Sequence, residues 1–158
     1  MMEHDISARL RALEDREAIR ELIARYGPLA DAGDGEAIAA MWTEDGSYGV
    51  GGMGEVRGRA AIAGLMASPT HRGLMADGCA HLLGPVTIDL DGDRATARGH
   101  SVVFRHSGGS FAPWRVAANR WDLVRTDTGW RVRHRENALL DGSEAARALL
   151  SLPSGPRP

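Results

Sequence analysis

The sequence predicts an α+β protein in which N-terminal helices cover one face of a curved antiparallel sheet, and three observations point there. Apolar residues in the first third recur at three- and four-residue steps, the spacing of an amphipathic helix. From about Cys79 to Asn137, β-rich runs alternate with turn signals. Helical and strand periods are segregated along the chain, which is the α+β layout.

The first helix is read from Ile6, Leu10, Leu13, Ile19, Leu22, Ile23, Tyr26 and Ala30, either continuous or in two segments with Asp15 capping the second. Gly27-Pro28 should kink its last turn, because proline lacks the amide hydrogen and crowds the preceding turn. Asp34 has the residue type and place of an N-cap for a second helix running through Ile38, Met41 and Trp42. Asp45-Gly46 then turns the chain into a short strand around Tyr48. Gly49 to Gly58 reads as a mobile glycine-rich loop, followed by a short helix through Ile62, Leu65 and Met66. Beyond it about four long strands form a meander, with turns at Asp91-Gly92 and Thr126 to Gly129 and a longer loop from Ser107 to Pro113. A last helix is expected from Ser143 to Leu150. Residues 1–152 read as one domain and the Pro-rich residues 153–158 as a disordered tail.

Composition removes several function classes. A net charge of -2 with 5% aromatics and no Arg-rich stripe beside Phe or Tyr argues against a nucleic-acid partner. Cys79 is the only cysteine, so neither an internal disulfide nor a thiol zinc framework can form, and a reducing compartment fits. Met1 to Leu13 alternates charged and apolar residues, unlike a signal peptide, and no run approaches membrane-spanning length, so the expectation is a cytoplasmic protein with no membrane partner. All 19 basic residues are Arg. Without lysine there is no Schiff-base nucleophile and no Walker-A site.

Gly49, Gly51 and Gly54 match G-x-G-x-x-G, but the motif neither closes a strand nor opens a helix inside a βαβ unit, so a lid or pocket-mouth loop is preferred to a nucleotide site. No histidine stands in H-E-x-x-H or Cys/His spacing, and neither a metal nor a cofactor is expected. His81 and His100 are placed on the two arms of the Asp91-Gly92 hairpin, where an even-numbered loop would point both rings to one face unless a bulge intervenes. Asp31, near the end of the kinked helix, can accept a hydrogen bond from His81, fixing its tautomer and stabilising the imidazolium formed when the other nitrogen takes a proton. Tyr26 reaches the same pocket only through the Gly27-Pro28 distortion. An inward Arg135 would require a carboxylate or a developing substrate anion, so its burial would be a functional signal. Trp42, Trp114 and Trp121 are assigned first to the core, with any of them able to wall a pocket. Trp42, Tyr48, Met53 and Trp121 are the candidate substrate contacts.

Leu13-Glu14-Asp15-Arg16-Glu17-Ala18-Ile19, Tyr26, Asp31, Asp34, Asp45-Gly46, His81, Gly129-Trp130-Arg131-Val132 and Leu140-Asp141-Gly142 together resemble the SnoaL-like group of the nuclear-transport-factor-two superfamily. The resemblance spans roughly Ile6 to Leu150 and implies a cone-shaped α+β barrel. It is specific for fold and weak for reaction. Within the superfamily the arrangement is similar to scytalone dehydratase, the bile-acid dehydratases and hexachlorocyclohexane dehydrochlorinase, whose Asp-His dyad matches Asp31 and His81. By the same likeness Tyr26 and Arg135 match pocket residues, His100 matches a second histidine loosely, and Asn119 matches a substrate-binding asparagine. The resemblance implies a cofactor-independent lyase, a dehydratase acting on a small, cyclic, largely apolar hydroxylated molecule, in a homodimer or homotrimer. The alternatives are an isomerase or cyclase using the same proton transfer, or a non-catalytic binding or assembly module.

Overall fold

The computed structural model describes residues 2–152; the expected disordered tail, 153–158, lies outside the described residues. The chain runs α1 (Met2–Ala24), α2 (Tyr26–Ala32), α3 (Gly35–Ala40), β1 (Trp42–Val50), β2 (Gly54–Arg57), α4 (Arg59–Gly64), α5 (Pro69–Asp77), β3 (Cys79–Leu83), β4 (Thr87–Asp91), β5 (Arg94–Ser107), β6 (Ser110–Thr126), β7 (Gly129–Leu139) and α6 (Glu144–Leu150). The sheet order is β2-β1-β7-β6-β5-β3, with β4 pairing the other half of β5. The sheet is curved but not closed, so the cone is an open half-barrel. All pairings are antiparallel except β1 with β7, which is parallel.

Proline chemistry explains the helix break. Pro28 cannot donate to the Ala24 carbonyl, and α1 ends at Ala24 while α2 begins at Tyr26. The residue between, Arg25, keeps helical dihedrals, so the break is a bend and not a loop. Asp34 caps α3 as expected, its side chain accepting from Ala37 N at 3.0 Å. Ser143 caps α6 in the same way. The core gathers Ile19 and Ile23 of α1, Tyr26 and Ala30 of α2, and Trp42, Tyr48, Trp121, Leu123 and Val132 of the sheet.

Several expectations are corrected. Ile6, Leu10 and Leu13 are exposed, so only the second half of α1 uses its apolar face. Asp15 is no cap: it lies inside α1, 7% exposed, where its carboxylate accepts from Arg125 Nη1 and Nη2 at 2.6 and 2.7 Å and from Trp130 Nε1 at 3.0 Å. The helix expected to include Met41 and Trp42 stops at Ala40, because Trp42 already pairs with Val132 of β7. Asp45-Gly46 is a bulge inside β1, marked by the register shift between Trp42 and Ser47. The glycine-rich loop is a hairpin, β1 to β2, pinned where Gly51 N donates to the Asn137 carbonyl and to Asn137 Oδ1, both at 3.0 Å. The expected loop at Ser107 to Pro113 is a two-residue turn, since Gly108 and Gly109 both adopt positive φ and let Ser107 pair with Ser110.

Asp15 ties α1 to the β6–β7 hairpin. Hydrogen bonds from Arg125 hold its carboxyl below the usual carboxylate range, against the opposing effect of burial. Asp15→Asn is expected to lower the unfolding free energy by about 2 kcal/mol, less than a fully buried pair because Arg125 is partly exposed. A carboxyl depressed in the folded state gives stability that is complete above about pH 4 and lost as pH falls through the folded value. Urea unfolding of wild type and variant at neutral pH and near pH 3 should show the difference shrinking in acid.

Candidate active site

The site begins with a glycine. A Cβ on Gly27 would lie 2.2 Å from the His81 carbonyl oxygen, so only glycine lets α2 press directly onto β3. Asp31 is four residues further, on the same helix face, and therefore lands on the same strand residue. Its carboxylate accepts from the His81 backbone N–H at 3.0 and 3.1 Å and from His81 Nδ1 at 2.6 Å. The Cys79 thiol adds a donor to the same carboxylate at 3.6 Å. Burial and the neighbouring carboxylate push that thiol up to about 11, so it stays protonated. With Nδ1 carrying the proton toward Asp31, His81 Nε2 is left as the basic nitrogen. Burial lowers the His81 pKa below its ordinary value, with Asp31 opposing, so the ring is neutral at pH 7.

His81 forms part of the wall of a cavity of about 120 Å³ between the helices and the inner sheet face. Tyr26, Tyr48, Met53, Arg135, Leu65, Met66, Leu74 and Leu83 also line it. Arg135 is 2% exposed and lies in one cross-strand row, between Trp121 of β6 and Tyr48 of β1. Its guanidinium carbon sits 4.0 Å from the Trp121 ring, 4.1 Å from Tyr26 and 4.5 Å from Tyr48. Asn119 Oδ1 accepts from Arg135 Nε and Nη2 at 3.1 and 2.8 Å. A buried cation is thus stabilised by three aromatic faces and an amide, with no carboxylate among the described residues in contact with it.

The predicted residues separate accordingly. Asp31, His81, Tyr26, Arg135, Tyr48 and Met53 come together, with Asp31 behind the imidazole rather than in the cavity wall. His100 does not join them: it is exposed and pairs with Ala118 on the outer face. The assumed parity fails because β3 and β4 are separate strands. Continuing the Thr87–Arg98 register would oppose His81 to Phe104, but the break at Gly84 to Val86 shifts it by one, onto Val103. Trp42 and Trp121 are fully buried beneath the cavity and do not line it, and Asn119 reaches Arg135 and not the cavity. Trp114, assigned first to the core, is 40% exposed at the cavity wall.

Sequence reasoning missed His71, Arg115, Asn137 and Ser101, all of which line the cavity. His71 lies on α5, where its Nε2 donates to the Ala30 carbonyl at 2.7 Å and its ring centre is 5.5 Å from that of His81. Ser68-Pro69, an N-cap followed by proline at N1, is the signal that could have revealed α5. Asn137 follows Arg135 by two on the same inward strand face, and its Nδ2 donates to the Tyr48 hydroxyl at 2.8 Å. Burial raises the Tyr48 pKa, which keeps it a neutral phenol. Among the described residues, two groups of three side chains bring potential metal-ligating atoms within 4.8 Å of one another, Asp31/Cys79/His81 and Glu55/His134/Glu136. In the first, hydrogen bonds to Asp31 already account for the thiol and the imidazole Nδ1.

Helices folded over an open curved sheet around an interior cavity form the NTF2-like, cystatin-like fold. The chain belongs to the SnoaL-like family, whose domain matches residues 11–136. It is 64% identical to an NTF2-like protein with a cystatin-like fold from Novosphingobium aromaticivorans, covering 94% of this chain and 97% of that one with a TM-score of 0.92. A function-unknown protein from Mycobacterium tuberculosis is 26% identical over 84% of this chain and 87% of its own, TM-score 0.68. A protein provisionally named a scytalone dehydratase, also from Novosphingobium aromaticivorans, shares the fold at 19% identity, 80% and 84% coverage and a TM-score of 0.67. No curated protein matches the sequence significantly.

Gly27→Ala should force α2 and β3 apart, costing about 1–3 kcal/mol of stability as an overpacked contact, measurable by urea unfolding. Asp31→Asn removes the charge that raises the His81 pKa, so an NMR titration should find the imidazole titrating still lower than in wild type.

Proposed function

We propose that this chain is a cofactor-independent lyase that removes water from a small, cyclic, largely apolar hydroxylated substrate. The observation that carries the reading is the 2.6 Å contact between His81 Nδ1 and Asp31, which leaves the other imidazole nitrogen of a cavity-lining histidine free. In this reaction His81 Nε2 takes a proton from a carbon beside a carbonyl group, breaking the C–H bond. Asp31 steadies the imidazolium that results. Arg135, held by Asn119 and the three rings, stabilises the negative charge developing on the carbonyl oxygen. As the C=C bond forms, the C–O bond to the neighbouring hydroxyl breaks, and the leaving group takes the proton from His81 to depart as water. Proton transfer and oxyanion stabilisation both come from side chains, so the reading needs no cofactor. Family membership is compatible with an enzyme without selecting its reaction, and the dehydratase name of one fold relative is consistent with the reading.

A screen of cyclic β-hydroxyketones for loss of water, with wild type and His81→Ala in parallel, tests the proposal. The variant should lose about 10²- to 10⁴-fold in kcat, the usual worth of a positioned base. Equal turnover by both would remove His81 from the chemistry. Activity requires neutral His81, whose pKa lies below the ordinary 6.5, so kcat/KM should hold through pH 7 and fall only at lower pH.

A further inference from the structure

We propose that the cavity takes an anionic ligand, a single-ring carboxylate whose charge is held by Arg115, with Arg135 left for the carbonyl oxygen; this refines the lyase reading above and rests on it for what happens next. The first argument is charge. Among the described residues lining the cavity there are two guanidiniums and no carboxylate, since Asp31 stands behind His81. The second is unmet hydrogen bonding. Arg115 Nε and Arg135 Nη1 are buried and have no partner among the described residues. Leaving such groups unpaired in a folded protein is costly, and more so for a charged donor.

Arg115 is a built feature of this wall. Its Nη2 donates to the Gly51 carbonyl at 2.6 Å and to Asn137 Oδ1 at 3.0 Å, which fixes the guanidinium without neutralising it. Asn137 in turn holds the Tyr48 hydroxyl, and the Tyr48 ring lies 4.5 Å from the Arg135 guanidinium carbon. The two cations therefore share one network of neutral partners. They also repel: burial first, and then the Arg135 charge, lower the Arg115 pKa. A carboxylate on Arg115 offsets that repulsion and offers the acceptor geometry that a guanidinium fits.

Size and position narrow the ligand further. About 120 Å³ suits one six-membered ring rather than a fused system, comparable to cavities that admit benzene in other proteins. Arg115 lies in the same cross-strand row as His81, through Val103, so two strand spacings, about 10 Å, separate their backbones. A ligand anchored by its carboxylate at Arg115 would extend its ring toward His81 Nε2.

The test is equilibrium binding, followed by Trp fluorescence and by the ligand-induced shift in Tm, of benzoate against benzamide, which match in shape and differ in charge. Wild type should bind benzoate about tenfold more tightly, and added NaCl should narrow the gap by weakening benzoate alone. Arg115→Met should lose most of the preference, its affinity for benzoate falling to about its affinity for benzamide. Benzamide bound as tightly as benzoate by wild type, no binding of either at millimolar concentration, or a folded Arg115→Met that keeps the full preference would each overturn the proposal. The wild-type comparison decides even if Arg115→Met does not fold. Binding requires no turnover, so a failed elimination screen with the benzoate preference intact would sink only the lyase reading.

Discussion

The contact between Gly27 and the His81 carbonyl is the constraint on which the site depends. A helix packed on a sheet normally stands off by the thickness of its side chains, and at that spacing an aspartate cannot reach the backbone N–H of a strand residue. Removing one Cβ brings α2 down onto β3. Asp31, one helical turn along, then accepts both the N–H and the imidazole of the same residue. Because the carboxylate is bound to backbone as well as side chain, the Asp31–His81 pair is fixed to the fold, and the histidine ring has little freedom to turn away.

The second organising feature is how the protein buries Arg135. Isolated guanidinium charge is costly in an interior, and the usual remedy is a carboxylate. Here the row Trp121–Arg135–Tyr48, set by the pairing of β6, β7 and β1, places the cation between aromatic faces, with Tyr26 closing from α2. Aromatic faces attract a cation without cancelling its charge. The positive potential therefore stays available to the cavity, near the neutral His81 ring. A histidine with one free ring nitrogen and an uncancelled cation around one small apolar space are the two groups that the proposed elimination uses.

Much of the architecture was legible in local sequence because local physics decides it. Pro28 ends α1 by withholding one hydrogen bond, Asp34 and Ser143 cap their helices, and the Asp91-Gly92 and Thr126 to Gly129 turns fall where those residues stand. The pairing of Asp31 with His81 was also readable, though the pattern that carried it was family likeness as much as spacing. His100 shows the limit. A register shift of one residue at Gly84 to Val86 reverses every side chain beyond it, and nothing in the local alternation announces that shift. Asp15 failed for the opposite reason: its residue type suits a cap, but a partner 110 positions away, Arg125, claimed it for the helix interior.

By itself, then, the sequence determined the α+β order, the N-caps of α3 and α6, the Asp91-Gly92 and Thr126 to Gly129 turns and the lack of lysine that removes amine chemistry, since each depends on residues a few positions apart or on composition alone. Only the tertiary structure decided which polar groups face the cavity. Arg115, Asn137 and His71 come from three separate elements, β6, β7 and α5, and meet through strand register and helix docking. Asn119 and Trp121 were moved from substrate contact to support of Arg135 by the same registers. Register and docking are settled by long-range burial, summed over the whole core, and a reading of neighbouring residues does not contain that sum.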